Sequence, residues 1–207
     1  DAYSVTINTR AFNAAGDTNF LNKGTVTLGN EAADVLTFTG GLATTGNTSN
    51  PATVNAAGTI NTTDTRMDIG AVTLTAATTF DTGNAAAGIL NIGAVTSQTN
   101  ALTLDSGSTA LATMGLTSMV DASGGLTIRD SGGLATIGDI GSGTAGAVTI
   151  TDSTGGVTFN ANVDSTTFTI AKALDAAVIT FTGDTVDITT AFNPNIATGV
   201  GADDTSD

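Results

Sequence analysis

The sequence predicts an all-β chain wound as a parallel β-helix. Three observations carry that reading: a residue stock unsuited to helices, a repeat of 22–24 residues, and short β-branched alternations punctuated by turns. Among 207 residues there are 43 Thr, 26 Gly and 18 Asp, but one Glu and two Lys. Straight-chain helix formers are therefore scarce, while β-branched and turn-forming residues abound. Hydrophobic residues make up 40% of the chain, enough to build a core despite a formal charge of −14.

The repeat is read from columns. Gly24, Gly46, Gly70, Gly93, Gly115, Gly138 and Gly183, with Ala161 splitting the last gap, mark eight registers. Four residues before each stand Phe20, Leu42, Arg66, Ile89, Leu111, Leu134, Val157 and Ile179. These are expected to stack inward, so that Asp at Leu111 or Leu134 would unfold the chain. Arg66 breaks the column, and a local shift beside the Asn/Thr-rich stretch 44–65 is the expected reason. The flanks recur too: Ile69-Gly70-Ala71-Val72 matches Ile92-Gly93-Ala94-Val95, and Leu111-Ala112-Thr113-Met114-Gly115 matches Leu134-Ala135-Thr136-Ile137-Gly138. Since Ala substitutes once, the column glycines are expected to serve close approach of neighbouring coils rather than a positive φ.

Taken in chain order, Tyr3–Asn8 reads as an ordinary first strand. A second strand signal then recurs about half a register after the glycines, at Val35–Phe38, Ala101–Leu104, Gly125–Ile128, Ala147–Ile150 and Thr167–Ile170. Turn chemistry follows in Asp105-Ser106-Gly107, Asp130-Ser131-Gly132-Gly133 and Asp152-Ser153-Thr154-Gly155-Gly156, where Asp and Ser bond the local backbone. The last strand signal is Val186–Thr189. An antiparallel sandwich also has short strands and frequent turns, but only a solenoid requires the whole unit to recur in register. The reading is thus one solenoid domain over 1–200, about eight coils and right-handed by the preference of parallel crossovers, followed by an acidic tail over 201–207.

Composition also excludes chemistries. With no His and no Cys, there is no imidazole acid/base, no Ser-His-Asp or Cys-His nucleophile and no His/Cys zinc site. A net charge of −14 with only five scattered cations repels phosphate backbones and anionic headgroups, and no apolar run approaches 18 residues, so neither nucleic acid binding nor membrane insertion is expected. Asp1 opens the chain without a Met or a charged and apolar leader; any signal peptide is expected to have been removed or to lie outside it. No enzymatic activity is expected. A lyase acting on acidic polysaccharide would join acids to Lys or Arg, and Arg129 and Lys172 are the residues whose removal would test one.

Two surface motifs remain. The triplets Thr25-Val26-Thr27, Thr37-Phe38-Thr39, Thr73-Leu74-Thr75, Thr167-Phe168-Thr169 and Thr180-Phe181-Thr182 start at different phases from the glycines, so no flat array of threonines is expected from them. Asp105, Asp130 and Asp152 recur in the turn after the second strand, and Asp203, Asp204 and Asp207 crowd the C-terminus. Together they are the candidate ligands for a hard cation such as calcium, the one candidate cofactor; turn capping and solubility are the plainer role.

The strings Leu36–Gly46 and Ala147–Phe159 resemble the repeats of exported bacterial β-solenoids: filamentous-haemagglutinin-like adhesins, autotransporter passengers and β-strand-repeat surface proteins. That resemblance implies a secreted rod at the cell surface or in an extracellular matrix. No helical or polar cap is visible in the sequence at either end, so both ends are expected to be covered by more protein, either the next copy in a head-to-tail filament or surface assembly or flanking sequence of a longer chain; a glycan or protein receptor is the other expected partner.

Overall fold

The computed structural model describes residues 2–172 and 177–194. Among the described residues the structure is all-β apart from one short 3-10 turn at Ala122–Gly124, and every strand pairing is parallel. About eight turns stack as a β-solenoid, each turn laying strands on three faces.

On the first face one inward column runs Val5, Val26, Val54, Val72, Val95, Met119, Ile140, Val163 and Val186, each paired with the next. On the second, the inward residues are Phe12, Leu36, Ile60, Phe80, Leu104, Ile128, Ile150, Ile170 and Pro194. The third carries Leu42, Met67, Leu90, Met114, Ala135, Val157 and Ile179. Alternation follows from the pleat: in Leu102–Asp105 the residues Leu102 and Leu104 are fully buried while Thr103 and Asp105 face outward. The three columns meet in one core running along the rod. At about 4.8 Å per coil, eight rises make a rod roughly 40 Å long.

The half-register strand signals stack as expected, Leu102 on Leu126 on Val148 on Phe168. The match of 69–72 with 92–95 is likewise a true register, Ile69 on Ile92 and Val72 on Val95. The predicted apolar column is one only in part: Leu42, Val157 and Ile179 stand in the inward third column, with Val157 paired to Ile179. Arg66, Ile89 and Leu134 share one position, a residue before the inward Met67, Leu90 and Ala135, and a one-residue slip turns side chains to the other face. Leu134 is 48% exposed and Leu111, in a turn, 70% exposed; neither stacks on the other. Arg66 lies one residue out of step with Leu42, which pairs with Met67, so the column does shift there. Arg66 is exposed and pairs with Asp68 at 2.6 Å.

The second flank match is displaced as well, since Met114 pairs with Ala135 and Leu116 with Ile137. The cause is uneven coil length. Val26 to Val54 takes 28 residues and Val54 to Val72 only 18, the surplus lying in the corner loop before Thr53. Four of the seven column glycines serve close approach: a Cβ on Gly24, Gly138 or Gly183 would fall on the carbonyl oxygen of Tyr3, Thr117 or Ala161 in the adjacent coil, and one on Gly93 against the Gly70 backbone, whereas Gly46, Gly70 and Gly115 meet no backbone atom so closely. Gly46, at φ +76, is the member of that set with a positive φ. The final strand is longer than its signal, Val186–Pro194, and takes in Phe192 and Pro194.

Candidate functional site

The second face gathers most of the chain's chemistry. Its inward residues alternate with two outward columns. One is Thr59, Thr79, Thr103, Thr127, Thr149 and Thr169, six threonines in consecutive coils. The other is acidic: Asp81 pairs with Asp105 and Asp105 with Asp130, and Asp152 follows one coil on.

Local turns hold the carboxylates in line. Asp81 Oδ1 accepts the Gly83 N–H and Asp105 Oδ1 the Gly107 N–H, both at 2.8 Å, with Gly83 and Gly107 at φ +79 and +73. Behind each turn a buried hydroxyl pins the corner from inside. Ser106 Oγ donates to the Ala112 carbonyl at 3.0 Å and Ser131 Oγ to that of Gly133 at 2.7 Å. Their burial explains why small hydroxyl residues, rather than bulkier polar ones, follow each Asp of the column.

Asp130 reaches its place through a β-bulge. The ladder pairs Leu104 with Ile128 but Asp105 with Asp130, so Arg129 is the extra residue, thrown outward. Its guanidinium folds back over the column, Nε on Asp105 Oδ2 and Nη2 2.7 Å from Asp81 Oδ2. At the far end Lys172 Nζ meets Asp152 Oδ2. Asp130 is left between two carboxylates with its Oδ1 enclosed and without a hydrogen-bond partner. Partial burial, then the charges of Asp105 and Asp152, raise its pKa above the ordinary carboxylate value, against the opposing influence of the Ser131 N–H and Lys172.

Three of the expected metal-ligand residues, Asp105, Asp130 and Asp152, are therefore brought together, in a line with one per coil. Among the described residues no three acidic side chains converge on a point that could hold a metal ion. Asp203, Asp204 and Asp207 lie outside the described residues. The structure also joins Arg129 and Lys172 to this line, with both cations engaged in ion pairs.

Sequence reasoning missed Asp81, though Thr79-Phe80-Asp81-Thr82-Gly83 repeats the pattern of Thr103-Leu104-Asp105-Ser106-Gly107. It also missed the threonine column, because phases counted from the glycines carry the variation in coil length. The Thr-x-Thr triplets themselves lie on different faces, Thr25 and Thr27 on the first and Thr169 on the second. A shallow depression lined by Asn91, Gly115, Thr136, Gly138 and Asn160 runs along the third face, where glycines thin the outer layer.

The β-solenoid architecture is compatible with the exported repeat proteins that the sequence resembles. No protein-family model, curated protein or solved structure matches this chain.

Proposed function

We propose that the chain is a structural, extracellular rod that builds a surface coat, matrix fibre or filament by stacking of solenoids. One observation supports this most: the inward columns keep their chemistry from the first coil to the last, Val5 to Val186, and the strands at both extremes use only one edge for pairing among the described residues. Such edges invite addition of further strands. An acidic surface keeps the rods apart laterally, so calcium would act by screening and bridging the aspartate columns of neighbouring rods. Sedimentation velocity and negative-stain microscopy of the purified chain test the reading. Concentration-dependent rods longer than one solenoid are expected, with lateral bundling increased by millimolar CaCl2 and reversed by EDTA. A monomer at all concentrations would overturn it.

The second reading is an adhesin segment that holds a glycan or protein on an exposed face. The depression of the third face, where Asn91 and Asn160 flank an apolar floor of Ile92 and Leu116, favours it. Glycan-array binding that is lost when Asn91 and Asn160 are replaced, with assembly intact, would establish that role instead.

A further inference from the structure

We infer that the stacking unit is a second copy of this chain seated head to tail and in register, with its Val5 beneath Val186 and its Ala11 beneath Asn193. This rests on the reading of the chain as a stacking rod and specifies the joint. Three observations lead to it.

The first is the geometry of the edges. Val5–Ile7, Ala11–Ala14 and Thr18–Asn19 pair with the following coil on one side, and Ile179–Phe181 and Val186–Pro194 with the preceding coil on the other. A parallel stack presents opposite edges at its two ends, so two like ends cannot continue the ladder but unlike ends can. The contact is heterologous and propagates without closing.

The second is apolar surface. Val5, Ile7 and Phe12 at one end, and Ile179, Phe181 and Ile188 at the other, pack on the core yet stay only half-buried. Phe192 is 52% exposed. At the last coil Phe181 stacks on Phe159 at 5.2 Å, and Phe192 lies 5.7 Å from Phe168, forming an aromatic end. In register, the next copy's Phe12 falls under Pro194 and its Arg10 under the Phe192 ring, where a guanidinium is attracted to the π face.

The third is charge. Residues 1–23 carry Arg10 and Lys23 against Asp1 and Asp17, a net of zero, whereas residues 177–194 carry Asp184 and Asp187, a net of −2. In a chain of −14 the joint then sets a neutral coil with two cations against an acidic one, which favours head-to-tail contact over contact between two acidic ends.

Cysteine pairs test the register, because the native chain has no Cys. Ala11, Asn193, Thr6 and Asp187 are all exposed, and in-register neighbours on parallel strands have the Cα separation that a disulfide needs. The full chain carrying A11C with N193C, or T6C with D187C, is expected to give covalent ladders on mild oxidation, and T6C with N193C none. Arg10→Glu, at an exposed position, should weaken association about tenfold by sedimentation while leaving the circular dichroism spectrum unchanged. Rods that form without these crosslinks, or crosslink through T6C with N193C, would overturn the register but leave stacking intact. Absence of any association would overturn both. Cysteine variants that lose the β spectrum would leave the Arg10→Glu measurement to decide, and equal association of that variant and the native chain would count against the joint.

Discussion

Arg129 reaches back across two coils to put its Nη2 2.7 Å from Oδ2 of Asp81, while its Nε holds Asp105 in the coil between. One residue of a bulge thus ties three levels of the rod and offsets two of four aligned carboxylates. Isolated surface pairs contribute little, but one guanidinium serving two carboxylates in a line of like charges contributes more. Arg129→Ala is expected to cost about 1 kcal/mol at neutral pH and low ionic strength. The loss should shrink toward zero in about 1 M salt, where the Debye length falls to about 3 Å. Urea melts at both ionic strengths measure it, and an equal loss at each would assign the effect to packing of the side chain.

Asp130 pulls the other way. Its pKa is raised by burial and by Asp105 and Asp152, so the folded state holds its proton more tightly than the unfolded chain does. That preference stabilises the fold fully below the unfolded carboxylate pKa, about 3.9, and the contribution is lost as pH rises through the folded pKa. Asp130→Asn should therefore raise the melting temperature at pH 7, by about 2–4 °C for a chain of this size, and have little effect at pH 3. A variant less stable than the native chain at pH 7 would show that the carboxylate accepts a bond essential to the bulge.

How much was legible depended on whether a pattern was local. Thr103-Leu104-Asp105-Ser106-Gly107 states its own strand, inward residues and turn, because alternation and turn chemistry act within five residues. Arg129 could not be placed that way. Its position follows from one extra residue in Thr127-Ile128-Arg129-Asp130, whose meaning appears only against the coil above. The glycine column failed for a related reason: glycines are recruited where backbones approach, and Gly115 lies beside Asn91 while Gly93 lies against Gly70. Corner loops absorb insertions at small cost, so a period counted along the chain drifts away from the column stacked in space.

That drift has a direct consequence for mutations. Leu134 matches Leu111 in sequence, yet both point outward, and Leu134→Asp should change stability by no more than about 0.5–1 kcal/mol. Ile128, fully buried between Leu104 and Ile150, should cost about 2–4 kcal/mol when cut to Ala. Urea denaturation of the two variants side by side reads the difference, and cooperative loss of fold in the Leu134 variant would restore the glycine-based register.

Two glycines outside any positive-φ turn separate close approach from mere looseness. An added Cβ at Gly138 would fall on the backbone carbonyl oxygen of Thr117 in the adjacent coil, whose neighbours Leu116 and Ser118 are held in the ladder by Ile137 and Asp139. At Gly16, in the exposed corner of the first coil, a Cβ would meet nothing within 4 Å. Gly138→Ala should therefore push two coils apart, at a cost of about 1–3 kcal/mol typical of overpacking. Gly16→Ala should stabilise by about 0.4–1 kcal/mol, because alanine restricts the unfolded chain while fitting the native conformation. Hydrogen exchange gives the spatial test: in Gly138→Ala the amides of Met114–Val120 and Ala135–Ser142 should lose protection first. Protection lost uniformly along the rod would instead mean that the coils unfold as one unit, with the strain shared among them.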